Sequence, residues 1–509
     1  VDLSDWIERN AGFTPDATAI LFEGENLTYS AMTKRIARAA GALRDKLGVK
    51  AGDRIAYLGY NHPEMLVLLF ACARIGAMLI PLNWRLAPPE HGLMIAGAIP
   101  AAFFAEPDFI AHGAAIADAS PGMKLIAMEG GEEGWLSYNT LMDEANPVPP
   151  GECGTGPDDP ILLCYTSGAT GMPKGVVLTQ EALFYNAVNS IHMNDMTRAD
   201  RVLTNLPMFH VGGLNIQTLP ALHAGATIIM HAKFDPDATY RDLVDEKITL
   251  CVLVPAQIMT MIQMPGWEEL DLSHLRMLST GSTLVPHSLI RVFHDRGIPV
   301  TQVYGSTETA PIATYGSIAL AEEKIGSAGK AALHCELRII GEDGEDVPAG
   351  TPGEILMRGP NIMREYWQAP ELTAQALQDG WFHSGDMGHL DEDGFLFIND
   401  RKKDMIISGA ENIFPAELEN LLADCAELEE AAVVGRADEK WGEVPIAVVV
   451  LKEGAEIDAE GVKGFFQGRL ARFKHPHEVI FIEALPRNAM GKIVKDELRE
   501  LVAAEEMSE

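Results

Sequence analysis

The stretch that decides the fold reads Ile161-Leu-Leu-Cys-Tyr-Thr-Ser-Gly-Ala-Thr-Gly-Met-Pro-Lys-Gly-Val-Val-Leu178. One apolar run, from Ile161, enters a loop of hydroxyl residues and glycines, and a second leaves from Val176. The pattern predicts two strands joined across an anion-binding turn. Gly168 and Gly171 let the backbone approach an anion closely. Thr166, Ser167 and Thr170 offer hydroxyl donors, and Lys174 supplies charge, a set that suits a polyphosphate. The loop differs from the G-x-x-x-x-G-K-S/T loop of common nucleotide hydrolases. Gly175 follows Lys174 and the chain continues into a strand, so no helix N-terminus is offered. On composition alone, a surface hairpin with polar turn residues explains the loop equally well.

Working outward, Arg54 to Leu58 reads as a strand, Pro63 to Ala73 as a helix with proline in its first turn, and Ala77 to Pro81 as a buried strand. Further strands are expected at Arg201–Asn205, Ala226–Met230, Leu250–Val254 and Val300–Tyr304, with helical segments between them. Such alternation predicts an α/β large domain of mostly parallel sheets flanked by helices. From about Gly326 short alternating stretches sit between Gly and Asp turns, which predicts a small β-rich subdomain over 326–400. Beyond Asp400 the expectation is a compact α+β module. It comprises helices at Pro415–Ala423 and Asp458–Arg472, strands at Glu430–Gly435, Ile446–Leu451 and Glu478–Ile482, and a frayed acidic tail from Ala503 to Glu509. The charged, short connection from Asn399 to Asp404 is the expected boundary between domains 1–400 and 401–509.

Composition narrows the partners. With 73 Asp+Glu against 39 Lys+Arg the net charge is −34, a field that repels nucleic acid and leaves a small anion to be held by local cations and N–H groups. The cysteines at 72, 153, 164, 251, 335 and 425 contain no C-x-x-C pair, which argues against a zinc ribbon, an iron–sulfur site or a disulfide scaffold. Most are expected as buried small hydrophobes. The longest apolar run, Met65 to Ala73, is far short of the roughly 20 residues a membrane helix needs. Without a basic-then-apolar leader pattern at the N-terminus, the expectation is a cytoplasmic protein. The assembly is left open, a homodimer included.

The loop string resembles the phosphate-binding loop of the adenylate-forming superfamily: acyl- and aryl-CoA synthetases, firefly luciferase and peptide-synthetase adenylation domains. The family pattern is Tyr-Thr-Ser-Gly-Thr/Ser-Thr-Gly-x-Pro-Lys-Gly. Ala169 departs from it by removing one hydroxyl, and Gln180 stands where a histidine is frequent. Four more motifs follow in the family's order. Gln302-Val-Tyr-Gly-Ser-Thr-Glu308 resembles the motif in which a tyrosine (Tyr304, after Gln302 and before Gly305) stacks on adenine, Thr307 bonds a phosphate and Glu308 holds Mg²⁺. Gly380-Trp-Phe-His-Ser-Gly-Asp386 resembles the ribose-binding motif, giving Asp386 that role, with Ser384 keeping the hydroxyl of the usual threonine. Asp400-Arg-Lys-Lys-Asp404 resembles the hinge, with Arg401 on the ribose and Lys403 as pivot. Leu485-Pro-Arg-Asn-Ala-Met-Gly-Lys492 resembles the loop of the catalytic lysine, Lys492.

The resemblance spans essentially the whole chain, and implies the fold, a mobile C-terminal domain and the chemistry. The implied substrates are ATP, with Mg²⁺ on Thr166 and Glu308, and a carboxylic acid that attacks the α-phosphate. The resulting acyl-AMP passes its acyl group to coenzyme A. It further implies Gly281, Ser282 and Thr283 at the adenine edge. Gly409, Trp441, Phe473 and Lys474 are implied near coenzyme A, with Arg85 as a phosphate partner and Ala410 narrowing the thiol tunnel. His210 matches an aromatic position near the substrate carboxylate. The acyl pocket is expected among the His210 segment, Val254-Pro-Ala-Gln257, Ser279–Thr283 and Gly305–Ile312. These segments are small and carry no cation beyond the nearby Arg276, so a medium or long aliphatic acid or an aryl acid fits better than a dicarboxylate. Two other readings stand beside this one. One is a stand-alone adenylating enzyme that passes its acyl-AMP to a separate carrier protein. The other is a silent nucleotide- or acyl-binding paralogue, against which Lys174, Glu308 and Lys492 all count. A Ser hydrolase is a poor fit, for lack of a G-x-S-x-G elbow.

Overall fold

Helix Pro63–Ile75 organises the large domain. All 13 of its residues are buried, because the run Met65–Ala73 is apolar on every side and must be covered on every side. It starts at Pro63 after His62, whose Nδ1 accepts the Glu64 N–H at 3.1 Å, and stops at Gly76 in the left-handed region. Arg74, its one buried cation, is held by Ser4, Glu8 and the Val148 carbonyl.

The computed structural model describes residues 2–131, 133–166, 173–281, 285–408, 411–438, 441–467, 469–488 and 491–506. Two largely parallel sheets face this helical layer. In the first, strands Val300–Tyr304, Met277–Gly281, Leu250–Val252, Arg201–Thr204, Thr227–Met230 and Thr18–Phe22 run side by side in parallel. The second sets Pro160–Thr166, Met78–Leu82, Arg54–Leu58, Ala102–Ala105 and Lys124–Ala127 in parallel order, with Lys174–Thr179 antiparallel beside Pro160–Thr166. Ile20 and Ile228 of the first sheet share one core with Ile55 and Leu79 of the second through helix residues such as Leu66 and Phe70. The expected α/β class and strand–helix alternation are therefore observed.

The β-rich stretch forms an antiparallel sheet of Glu336–Ile340, Gly353–Arg358, Trp381–Leu390, Leu377–Gln378 and Leu396–Arg401. The charged stretch read as a connection is partly strand. Pairing runs through Asp400 and Arg401 because Asp386 and Met387 stand opposite them, so the covalent link begins at Lys402.

In the C-terminal module, strands Leu428–Asp438 and Gly442–Leu451 form a long hairpin whose alternation feeds two cores. Val433, Ala447 and Val449 pack toward the helices Pro415–Leu422 and Ala459–Gly464. Ala432, Val434, Ile446 and Val448 pack toward helix Lys495–Glu506. Two expectations are corrected here. The helix over Asp458–Arg472 ends at Gly464, consistent with glycines at 461 and 464 weakening the helical state. Ala503 to Glu506 is no frayed tail but the last turn of helix Lys495–Glu506, pinned by fully buried Leu498 and Val502; residues 507–509 lie outside the described ones. Cys72, Cys164, Cys251 and Cys425 are buried as expected, whereas Cys153 is exposed.

Candidate active site

The site forms where parallel strands end. Tyr304 closes strand Val300–Tyr304, and its hydroxyl donates to Asp386 Oδ2 at 2.8 Å. Arg401, opposite Asp386 in strand register, brings Nε to 3.3 Å from Oδ1. Burial raises the Asp386 carboxyl above the usual range, against the pull of Arg401 and the Tyr304 hydrogen bond. Ser384 uses its hydroxyl locally: it donates to the Ile355 carbonyl at 2.7 Å and accepts the Asp386 N–H at 3.0 Å. Gln302 is half-buried on the same strand as Tyr304. Backbone crowding dictates two glycines. A Cβ on Gly281 would lie 2.4 Å from the Val303 carbonyl oxygen, and one on Gly305 would lie 1.9 Å from that of Pro311.

A second group gathers around Glu308, in the short turn Thr307–Thr309, where Thr307 is buried. Tyr366 donates its hydroxyl to Glu308 Oε1 at 2.8 Å, and Lys174 Nζ lies 5.4 Å from the centre of the same ring. Strand pairing explains the convergence: Tyr366 stands opposite Val176, and Lys174 opposite Thr166. Burial and the Glu308 charge hold the Tyr366 phenol well above its ordinary value, so it remains a donor. Asn361 clamps the turn from beneath, donating to the carbonyls of Thr309 at 2.7 Å and Ile312 at 2.9 Å. Thr166 and Glu308 offer one hydroxyl and one carboxylate. Such a sparse, hard donor set fits Mg²⁺ shared with phosphates, whereas no cluster of three or more His, Cys, Asp or Glu able to hold a metal exists among the described residues.

The C-terminal module delivers Lys492 to this place. Its turn is closed by Asn488, whose carbonyl accepts Gly491 N–H at 2.8 Å and whose Oδ1 accepts Lys492 N–H at 3.1 Å. Burial pushes the Lys492 ammonium below its ordinary pKa; the Arg401 charge adds to this and Asp386 opposes it. The Lys492 charge also reaches His210, which burial first and Lys492 second hold down to about 4. His210 Nδ1 accepts the Gly212 N–H at 3.0 Å, so the neutral ring carries its proton on Nε2. Behind the lysine, Lys495 pairs with Glu419 at 2.9 Å, and Asp400 Oδ2 accepts the Ala416 N–H at 2.9 Å near the start of helix Pro415–Leu422.

Lys492, His210, Asp386, Arg401, Tyr304 and Glu308 thus act on one another. Other expected residues stand apart. Trp441 is 48% exposed, so it is not part of the packed core. Lys474 pairs with Glu417 at 2.6 Å inside the module. Arg85 stacks over Trp84 and Phe209, the neighbour of His210. Lys403 Nζ lies 3.4 Å from Asp496 Oδ2. Ser167, Gly168, Thr170, Gly171, Ser282, Thr283, Gly409 and Ala410 lie outside the described residues, as does the Phe473 side chain. Sequence reasoning missed Tyr366 and Asn361, and gave no role to Asn488 within the quoted lysine loop. Nothing in their local pattern marks them, since each acts on a residue brought near only by folding or by the loop's own closure.

The AMP-binding enzyme family matches residues 7–367, and the AMP-binding enzyme C-terminal domain matches residues 417–492. The chain is 53% identical over 503 residues to an indoleacetate–CoA ligase of Aromatoleum aromaticum, covering 99% of this chain and 98% of that one. It is 43% identical over 499 residues to a feruloyl-CoA synthase of Amycolatopsis, covering 98% of each. Among solved structures it superposes on the o-succinylbenzoate CoA synthetase of Bacillus subtilis in complex with its acyl-adenylate intermediate. There the TM-score is 0.86 at 30% identity, over 97% of each chain. The same enzyme in complex with ATP and magnesium ion gives 0.86 at 29% identity, over 97% of this chain and 98% of that one. With two family matches that together take in most of the chain, the protein belongs to the AMP-binding enzyme family.

Proposed function

We propose that this AMP-forming acid–thiol ligase acts on aryl acids, converting them through the aryl-acyl adenylate to the coenzyme A thioester. The observation that carries the chemistry is the convergence of Lys492 with His210, Asp386, Arg401 and Tyr304. The aryl preference draws support from the indoleacetate and ferulate ligases at 53% and 43% identity. It also draws on a buried apolar cluster in which Leu206 and Ile216, which flank His210 in the chain, join Val252, Val303 and Ile312.

In the first step a carboxylate oxygen attacks the α-phosphorus of ATP, the bond to the bridging oxygen breaks, and pyrophosphate leaves with the electron pair. Two anions must meet, so cationic and dipolar partners dominate the barrier. Lys492 stabilises the charge that builds on the α-phosphate, and Lys174 that on the departing pyrophosphate. Thr166 and Glu308 would hold Mg²⁺, which when bound would supply Lewis acidity toward the phosphates. Asp386 and Arg401 hold the ribose, and Tyr304 positions Asp386 while offering its ring to adenine. His210, neutral at pH 7 with its proton on Nε2, donates a hydrogen bond to the carboxylate instead of adding charge or acting as a base. In the second step the thiol sulfur attacks the acyl carbon, loses its proton to solvent or AMP, and AMP departs. The acyl-AMP hydrolyses if water reaches it, so a buried site protects it. Residues 1–400 and 401–509 act as separate bodies in this reading, the smaller pivoting at Lys403. No described helix is long and apolar enough to cross a membrane, and a cytoplasmic location suits the substrates.

The test is pyrophosphate release and thioester formation across indole-3-acetate, ferulate, octanoate, laurate, acetate and malonate, with and without coenzyme A. The aryl acids should give the highest kcat/KM, with thioester only when coenzyme A is present. A short acid leaves apolar wall unburied, worth about 0.8 kcal/mol per missing CH₂. Highest efficiency with a fatty acid, acetate or malonate would overturn the aryl reading.

A further inference from the structure

Among the described residues around this apolar cluster, several buried polar side chains lack a partner: Asn205 and Asn215 at both amide atoms, Gln217 at Oε1 and Thr280 at its hydroxyl. Of these, Asn215 is the amide that follows His210 in the same helical turn, among neighbours that are paired. Asn186 donates to the Asn215 carbonyl at 2.7 Å and accepts the Ile312 N–H at 3.0 Å. Asn194 donates to the Ser190 carbonyl at 2.8 Å and accepts from Gln217 at 2.8 Å. Asn189 accepts the His334 N–H at 3.1 Å. Asn215, in their midst and only 1% exposed, has neither a partner for its Nδ2 nor one for its Oδ1. Burying a carboxamide unpaired is costly, so a ligand that completes it gains affinity that a purely apolar ligand cannot.

The placement points to the acid. Asn215 lies in the π-helical turn Leu214–Thr218, a geometry found often at functional sites. Leu214 N–H bonds the His210 carbonyl at 3.0 Å, so this turn continues directly from the histidine assigned to the carboxylate. Ile216, the next residue, belongs to the apolar cluster with Leu206, Val252, Val303 and Ile312. Five residues of helical rise separate His210 from Asn215, roughly 7 Å, about the span from a carboxylate to the far edge of an attached aromatic ring. We propose that Asn215 reads a hydrogen-bonding group on that ring, an N–H or a hydroxyl, and selects aromatic acids that carry one over their isosteres that lack it. The carboxamide supplies both polarities: Oδ1 accepts from a ring N–H, and Nδ2 donates to a hydroxyl oxygen. The proposal rests on the aryl-acid reading above and names the ring chemistry within it.

The experiment compares kcat/KM for indole-3-acetate against benzothiophene-3-acetate, and for ferulate against 3-methoxycinnamate, in the native enzyme, Asn215→Leu and Asn215→Ala. The native enzyme should favour the hydrogen-bonding member of at least one pair by about 10- to 100-fold. Both variants should bring that ratio to within about threefold. They should still turn over the member without the polar group at near-native efficiency, which shows that the fold is intact. A native ratio near one in both pairs overturns the proposal. Equal loss of both members in both variants also overturns it, because Asn215 then serves the scaffold. If the native enzyme activates none of the four acids but accepts fatty acids, the aryl-acid reading itself falls and this proposal with it.

Discussion

Replacing Lys492 by alanine separates the two half-reactions. The lysine sits where burial and Arg401 already depress its pKa and only Asp386 favours its charge. Its ammonium is therefore held for an anion that arrives with ATP. At 4 Å and an effective dielectric near 20, one unit charge pair is worth about 4 kcal/mol. Removing one pre-aimed donor from an oxyanion typically costs about 10²- to 10³-fold in kcat. Adenylation by Lys492→Ala should thus fall by two to three orders of magnitude, on the order of 2.7–4 kcal/mol. Thioester formation from supplied acyl-AMP and coenzyme A should stay near native, because no charge develops at the α-phosphate with pyrophosphate as leaving group. Lys403→Pro should do the reverse. It restricts φ at the pivot and hinders the swing that brings the thiol tunnel forward, so first-turnover pyrophosphate release persists while thioester formation drops. Single-turnover quench experiments on each half-reaction read both variants. Equal loss of both half-reactions in both variants would refute the reasoning, since one fixed arrangement would then serve both steps.

Three other outcomes follow from particular contacts. Glu308→Gln should lower adenylation at least tenfold and raise the Mg²⁺ concentration needed, and Tyr366→Phe, which only frees Glu308 from its phenol, should fall between it and the native enzyme; native Mg²⁺ titrations for both would remove Glu308 from the metal role. Gly305→Ala forces a methyl against the Pro311 carbonyl oxygen 1.9 Å away, so urea unfolding should show a loss of about 1–3 kcal/mol together with impaired adenylation, and an unchanged midpoint would contradict the crowding. His91, fully buried with Nδ1 2.8 Å from His112 Nε2, has its pKa lowered from 6.5 to about 4, by burial first and His112 second. Its contribution to stability is complete above pH 6.5 and lost as pH falls toward 4, because the unfolded chain takes up the proton first, at up to about 1.4 kcal/mol per pH unit. Buried Glu64, Glu106 and Glu419, with raised pKa values, contribute in the opposite sense, so the reading is the difference between native enzyme and His91→Leu in urea titrations from pH 7 to 4.5; parallel curves would sink it.

Helix Lys495–Glu506 shows why part of the fold was not legible. Its end, from Ala503, is acidic and lacks large apolar residues, so that part reads as a tail. Only the hairpin Leu428–Leu451, offering Val434, Ile446 and Val448 on its outer face, gives Leu498 and Val502 something to cover. The stretch from Asp458 misleads in the other direction: its apolar residues have helical spacing, yet the helix ends at Gly464.

What the sequence determined by itself is local. Apolar runs of strand length, glycines where backbone approaches backbone, and hydroxyls and a lysine around one loop depend on residues within a few positions of one another. Those were enough to place the two strands around the loop and the helix that starts at Pro63, whereas the class of chemistry came from the resemblance of five ordered motifs to a known family. The tertiary structure alone decided the partnerships. Tyr304 meets Asp386 across 82 positions and Tyr366 meets Glu308 across 58, and no periodicity reaches that far. The same holds for the pKa values that set the chemistry. The neutrality of His210, the depressed ammonium of Lys492 and the raised carboxyl of Asp386 all come from burial and from charges on other elements. The unpaired carboxamide of Asn215 is likewise invisible until the chain has closed around it, because a missing hydrogen bond is a property of surroundings and not of a residue.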